Sequence, residues 1–365
     1  MIKAVTRFLL SILTGANVAT IIIMLLVGFS DHINPAAHPT LACAGMFFPA
    51  FLAANMAFLI LWLIIKWQRA WIPVVGFALA YVPIRTYIPL RIVSQPEGET
   101  LKVISYNVSG YYYNKDADAF ANIKAWLQNE DADIVCLQED ISHGKLQPLD
   151  SLKLLYEYND TVHVNNVDQK YINAIGIHSR YPILRTERIS YTSSNNGSAA
   201  FFLQVGQDTV IVVNNHLEST HLSPEERQRY KDVLKGDMET DSAREETRLL
   251  ISKIGAQMSK RAPQADAVHQ YIEAHRGRYP IIVCGDFNDT PISYVRRTIA
   301  KGLTDCFVEA GAGLGLSYNQ KGFFFRIDYI LCSDDYQPTF CHVDSKITLS
   351  DHYPIVCWLK KVDKP

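Results

Sequence analysis

Charge is scarce in the first hundred residues of this chain. Residues 1–99 hold six Lys or Arg and three acids, and the stretches 8–29 and 41–65 hold no charged side chain at all. Runs of that length without a charge exclude a solvated surface helix. An α-helix over 8–29 would be about 33 Å long, enough to cross a bilayer. A third apolar stretch, 71–90, carries Arg85 and three prolines, Pro73, Pro83 and Pro89. Arg85 at mid-helix would cost roughly 2.5–3.5 kcal/mol, but it stands near the end of the stretch, where its head group reaches the interface. Residues 1–93 are therefore expected to form a membrane anchor of two to three transmembrane helices, at about 8–29, 41–65 and 71–90. The first run is too long for a cleavable signal peptide, and no small-x-small site separates it from the next.

Other absences narrow the rest. Beyond residue 99 there is no basic excess: 29 Lys or Arg stand against 34 acids, a net −5. A nuclease that grips duplex DNA generally shows a basic face. No Cys/His cluster has zinc-ligand spacing. Of the seven cysteines, Cys136, Cys284 and Cys357 sit inside strand-like apolar runs and are expected as core thiols, while Cys332 and Cys341 could flank a hairpin and pair. No internal repeat or low-complexity tract is present. Lys and Arg are also missing from residues 30–40, whereas Lys3 and Arg7 precede the first span and Lys66 and Arg69 separate the second from the third. That asymmetry puts the N-terminus in the cytoplasm. If the third span crosses, the large domain lies on the outer (periplasmic or extracellular) side of the cytoplasmic (inner) membrane, which is the expectation here. Arg91 and Lys102 favour the alternative, an interfacial third stretch and a cytoplasmic domain.

After a short linker at 94–100 with Pro96 and Gly98, strands and helices alternate over 101–360. Strands are expected at 101–107, 134–137, 174–178, 201–205, 209–214, 281–284, 327–332 and 354–359. Helices are expected at 118–129 and 292–301, with a charged helical insertion at about 223–276 entered at Ser223-Pro224-Glu225-Glu226.

The informative stretch is Ile281-Ile282-Val283-Cys284-Gly285-Asp286-Phe287-Asn288, a buried strand that stops at a glycine and delivers an acid and an amide. At strand spacing Asp286 and Asn288 point the same way. Five other strand-like runs behave alike. Asn107 ends Val-Ile-Ser-Tyr-Asn, Glu139 ends Ile-Val-Cys-Leu-Gln-Glu, and His216 ends Val-Ile-Val-Val-Asn-Asn-His. Asp328 opens Asp-Tyr-Ile-Leu, and Asp351-His352 precedes Tyr-Pro-Ile-Val-Cys-Trp-Leu. Each alone reads as a turn or a surface pair; six in order do not. Glu139, Asp286, Asp328 and Asp351 are hard oxygen donors, and with an amide they suit Mg²⁺, with Mn²⁺ as the alternative. His216 and His352 can move protons near neutral pH. Metal, histidines and amides are what phosphoester hydrolysis needs.

Tyr106-Asn107-Val108, Leu137-Gln138-Glu139, Asn215-His216-Leu217, Gly285-Asp286-Phe287-Asn288, Arg326-Ile327-Asp328-Tyr329-Ile330 and Ser350-Asp351-His352-Tyr353-Pro354, in this order, resemble the endonuclease/exonuclease/phosphatase family. The resemblance implies a four-layer α/β sandwich, two packed mixed sheets flanked by helices, here preceded by transmembrane helices. It implies Glu139 as the principal metal ligand with Asn107 beside it and Asp351 as an additional one. Asp286 and Asn288 would orient water and phosphate, His352 would act as general base or phosphate contact, Asp328 would orient His352, and His216 would be a phosphate contact or general acid. The competing role for Asp328 is a salt bridge to Arg326, with His352 capping a turn. One departure is Ser109, where some family nucleases carry an acid.

The substrate is expected to be a phosphoester: a lipid, a small phosphoester or nucleic acid. The aromatic clusters Tyr111-Tyr112-Tyr113 and Phe323-Phe324-Phe325 read as core or as a lipid-contacting rim. Membrane lipids are expected partners of the N-terminal helices, and no protein partner is evident. A nonspecific extracellular nuclease and a catalytically inactive membrane-anchored binding module are the alternatives.

Overall fold

A computed structural model describes residues 2–91, 98–113, 118–141, 148–164, 173–193, 195–220, 223–235, 240–320 and 323–362. Residues 94–97 of the expected linker, 236–239 of the expected insertion and Gly322 lie outside the described residues. The helices in chain order are α1 (Ile2–Gly28), α2 (Pro39–Ala42), α3 (Phe48–Ile65), α4 (Trp71–Leu79), α5 (Tyr81–Tyr87), α6 (Ala119–Glu130), α7 (Pro148–Leu152), α8 (Pro224–Lys235), α9 (Thr240–His275), α10 (Tyr294–Ile299) and α11 (Cys306–Ala310).

The strands are β1 (Leu101–Asn107), β2 (Ile134–Gln138), β3 (Tyr158–His163), β4 (Ala174–Ser179), β5 (Ile183–Ile189), β6 (Gly197–Val205), β7 (Asp208–His216), β8 (Ile281–Asp286), β9 (Thr304–Asp305), β10 (Tyr318–Gln320), β11 (Phe323–Phe325), β12 (Asp328–Cys332), β13 (Tyr336–Val343) and β14 (Ile355–Lys361). They form two six-stranded sheets, ordered β13-β14-β1-β2-β4-β3 and β5-β6-β7-β8-β12-β9, plus the hairpin β10-β11. Both sheets are mixed, because β1 runs parallel to β2 and β7 to β8 while their other neighbours are antiparallel. Val103, Cys136 and Ile177 of the first sheet share one core with Phe201, Val212 and Cys284 of the second. Tyr106, Trp126 and Leu127 pack the outer face of the first sheet. The fold is thus the α/β sandwich that the motif order implies.

Two helices, over Ala4–His32 and Pro39–Ile65, are long and apolar enough to cross a membrane. The third expected span is not one helix. α4 ends at Leu79 and α5 begins at Tyr81, with Ala80 at φ −89°, ψ 12°. Pro83 explains the break: it has no N–H to give Leu79 and its ring crowds that carbonyl.

The 223–276 stretch also departs from a simple insertion. α8 opens on a reciprocal cap, Ser223 N–H to Glu226 Oε2 at 2.7 Å and Glu226 N–H to Ser223 Oγ at 3.2 Å. The later half of α9 is core: Ala265, Val268 and Ile272, on one helical face, bury against the second sheet. Its earlier half turns to the N-terminal segment, where Ile254 and Met258 pack with Ala42 and Cys43. All seven cysteines are buried and free, so Cys332 and Cys341 do not pair.

Candidate active site

The second sheet sets three site residues in one row. In β7-β8-β12 register, His216 lies opposite Asp286 and Asp286 opposite Asp328. Gly285 makes that row closable. Its φ is +128°, and a Cβ there would stand 2.0 Å from the Asn215 carbonyl oxygen, so no other residue fits. In the first sheet Asn107 pairs with Gln138, and Glu139 follows with φ +51°, which swings its carboxylate inward. Below the site the sheets are tied by buried polar groups. Gln138 Nε2 donates to Asn214 Oδ1 at 2.7 Å, and Asn214 Nδ2 donates to the Leu137 and Gly176 carbonyls at 2.9 Å.

The site converges on one oxygen, Asp286 Oδ2. It accepts from Asn107 Nδ2 at 3.1 Å and Asn288 Nδ2 at 3.2 Å. It also lies 3.7 Å from His352 Nε2 and 3.8 Å from His216 Nε2. The other oxygen, Asp286 Oδ1, accepts the Asn288 backbone N–H at 2.8 Å. Asn107 Nδ2 also reaches Glu139 Oε1 at 3.3 Å, and His216 Nε2 stands 3.7 Å from that oxygen. His352 Nδ1 is 2.9 Å from Asp328 Oδ2; a carboxylate only accepts, so Nδ1 carries the proton. Arg326 does not pair with Asp328. Its guanidinium donates to the Leu314 and Thr86 carbonyls and lies over the Phe307 ring.

All eight expected residues therefore meet. Asp351 accepts from Gln320 Nε2 at 3.4 Å and lies 3.4 Å from Ser350 Oγ, whose single hydrogen goes to the Asn107 carbonyl at 2.7 Å. Sequence reading missed Gln138, Asn214, Ser317 and Ser350, which hold the others in place. It also missed Asp140, buried under the Tyr111 hydroxyl at 2.7 Å. The signal for Gln138 and Asn214 was present, as polar residues inside otherwise apolar strands.

Electrostatics follow from burial and crowding. Burial, reinforced by the Asp328 carboxylate, pushes Asp286 up to about 7. Burial opposes charge on His352, but the Asp328 and Asp286 carboxylates outweigh it and raise the ring to about 10. Burial and then Asp351 raise Glu139, an effect that water tempers because a third of its side chain is exposed. So many carboxylates around so few cations suit a divalent ion. Asp286, Asp328 and His352 offer ligand atoms within 4.8 Å of one another, and Glu139 adds a carboxylate oxygen beside them, while Asn107 turns its amide nitrogen to Glu139 and Asp286 and its Oδ1 accepts the Ser109 N–H.

Above these groups lies a cavity of about 430 Å³. Glu139, Asn288, Asp351, Arg227 and Arg261 line it, together with Met46 of the N-terminal segment. Arg261 is committed to Asp289 Oδ2 at 3.4 Å and the Glu218 carbonyl at 3.0 Å.

Residues 104–352 match the family model described as Endonuclease/Exonuclease/phosphatase family. Residues 10–87 match a second, described as a domain of unknown function. No curated protein matches the chain. Among solved structures, an endonuclease/exonuclease/phosphatase family protein from Leptotrichia buccalis C-1013-b superposes with a TM-score of 0.52 at 13% identity, covering 72% of this chain and 100% of that one. The human Nocturnin catalytic domain with bound sulfate anion gives 0.50 at 16% identity over 74% of this chain and 97% of its own. The endonuclease/exonuclease/phosphatase from Beutenbergia cavernae DSM 12333 gives 0.50 at 15% identity over 72% of each. At these identities the likeness is one of fold.

Proposed function

The chain belongs to the endonuclease/exonuclease/phosphatase family, and from that premise we propose a membrane-tethered, Mg²⁺-dependent hydrolase of phosphoester bonds. At the level of the family it is a metal-dependent phosphoesterase. The observation that carries the finer reading is the convergence of two amides and two imidazoles on Asp286 Oδ2.

Glu139 would hold the ion, with Asn107 beside it and Asp351 as the further carboxylate. Bound there, Mg²⁺ supplies positive charge that offsets the charge developing on the phosphoryl oxygens. Asp286 would orient the attacking water and take its proton, for which a carboxyl raised toward neutrality is suited. Asn288 and His216 would bind the phosphate. His352, held by Asp328 and kept protonated by two carboxylates, would contact the phosphate as an imidazolium and donate at Nε2.

The anchor's geometry supports placement outside the cytoplasmic membrane. Arg69 Nη1 donates to the Leu10 carbonyl at 2.6 Å, so the basic loop at 66–70 sits by the start of α1. The catalytic domain contacts the opposite end: Glu309 pairs with Arg85 and Arg91, and α9 packs on α2. With the basic end inside, the catalytic domain is outside. Exposed Phe8, Ile12, Leu26, Ile64, Val75 and Val82 are the side chains a bilayer would cover.

The test is hydrolysis of bis-p-nitrophenyl phosphate by the full chain in detergent. Turnover with Mg²⁺ that EDTA removes and Glu139→Gln abolishes is expected. Turnover indifferent to EDTA and to Glu139→Gln would overturn the reading.

A further inference from the structure

The membrane segment does more than tether. Ile292, four residues after Asn288, is buried among Met24, Val27, Phe48 and Leu52 of α1 and α3. Four residues span roughly 14 Å at most, so the phosphate site lies within that distance of the anchor's core. Gly45 presses directly on the same loop: a Cβ there would stand 2.1 Å from the Ile292 carbonyl oxygen. Met46, next in the chain, lines the catalytic cavity together with Ile254, and two residues later α3 begins. One wall of the cavity is therefore apolar and continuous with a helix fit to cross a membrane.

The rest of the cavity is lined mostly by polar side chains. Arg227 lines it and has no carboxylate partner among the described residues, unlike Arg261. The cavity thus brings together carboxylates, the Asn288 amide, a cation without a carboxylate partner among the described residues, and apolar side chains next to a helix fit to cross a membrane. The catalytic domain meets the anchor elsewhere on this side, where the Gly313 N–H donates to the Pro89 carbonyl at 2.9 Å and Leu90 and Leu314 leave apolar surface exposed.

We propose that the substrate is an amphiphile, a phosphoester carried on an aliphatic chain and drawn from the adjacent leaflet, with Met46 and Ile254 contacting the chain and Arg227 the headgroup. The proposal rests on the phosphoesterase reading above and deepens it. A small soluble phosphoester would leave the apolar wall uncovered.

The experiment uses the full chain in micelles with Mg²⁺ and two matched pairs of probes. These are dodecyl against methyl p-nitrophenyl phosphate, and dodecyl against ethyl phosphate, followed as nitrophenol or phosphate released. For whichever pair is cleaved, kcat/KM is expected to be at least tenfold higher for the dodecyl member. Partitioning into the micelle would itself favour the long chain, so Met46→Glu is the deciding arm. It should shrink the dodecyl-to-short ratio at least tenfold, and Arg227→Gln should raise KM for both members. A ratio near one, or a ratio that survives Met46→Glu, overturns the amphiphile while leaving the phosphoesterase intact, provided Glu139→Gln still abolishes turnover. Faster cleavage of a single-stranded oligonucleotide than of either dodecyl probe also overturns it. Metal-dependent turnover of none of them overturns both readings.

Discussion

His352 Nδ1 lies 2.9 Å from Asp328 Oδ2, and both side chains are buried. Ser317 Oγ accepts the Asp328 N–H and Ser350 Oγ the His352 N–H, so neither backbone can drift. The imidazole is thereby fixed with Nε2 toward Asp286. Asp328→Asn and His352→Ala are each expected to lower kcat by roughly 10²–10⁴. The double variant should be little worse than His352→Ala alone, because residues acting as a unit are non-additive. Steady-state kinetics of the four proteins decide it; losses that multiply would separate the two.

Glu139 is, with Asp351, one of the two part-exposed carboxylates of the site, and it lines the cavity. Glu139→Gln keeps shape and removes the anionic donor. We expect Mg²⁺ affinity to fall at least about 10–100-fold, the loss that even an outer partner of a metal site produces. Titration calorimetry measures it directly, and an unchanged binding isotherm would remove Glu139 from the metal site.

Much of this site is legible in the sequence because period-2 strands deliver polar ends to one rim without help from distant residues. What was not legible lies in long-range contacts. Arg326 reads as the neighbour of Asp328, but its acceptors are the carbonyls of Leu314 and of Thr86, far back in the N-terminal segment. β5, Ile-Leu-Arg-Thr-Glu-Arg-Ile, is an edge strand with mixed exposure and so lacks a clean alternation. β13 carries Pro338, which an edge tolerates and a central strand does not. The contact of the N-terminal helices with Ile292 left no local trace at all.

The raised pKa of Asp286 has a consequence for stability. A carboxyl raised in the folded state binds its proton more tightly there than when unfolded, so folding is favoured at low pH. That advantage is lost as pH climbs from about 4 to the folded value of about 7. Asp286→Asn should therefore abolish activity yet raise Tm of the metal-free protein at pH 8, by roughly 2–4 °C per kcal/mol relieved. Mg²⁺ should raise the wild-type Tm at the same pH. Thermal scans at pH 5 and pH 8 with and without Mg²⁺ test both; a lower Tm for Asp286→Asn at pH 8 would contradict the repulsion.

The orientation proposed for the anchor predicts that protease added to spheroplasts digests the catalytic domain while the 66–70 loop stays protected. Digestion of the domain only after lysis would place it in the cytoplasm, and α4 and α5 would then lie along the membrane surface.

The last prediction concerns the coupling of anchor and site. Gly45 touches no catalytic residue, yet a Cβ on it would come within 2.1 Å of the Ile292 carbonyl oxygen and 3.0 Å of Ile292 Cγ2. The first contact is with backbone, so rotation of a side chain cannot relieve it. Either residues 43–47 or the loop carrying Asn288 to Ile292 must move. Ile292 is buried in the anchor's apolar cluster, while Asn288 is bonded to Asp286 and to the Leu217 carbonyl at 3.0 Å. Displacement is therefore passed along four residues to Asn288 and Asp286. A misplacement near 1 Å at reacting groups costs on the order of 10²-fold in rate, so Gly45→Ala is expected to lower kcat by about that factor with Mg²⁺ affinity at Glu139 little changed. Gly15→Ala is the control: it lies in the same anchor with nothing within 4 Å of its Cβ, and it should leave kcat unchanged. If Gly45→Ala matches Gly15→Ala in kcat, the anchor does not position the catalytic loop, and its contact with Ile292 only fastens the two parts together.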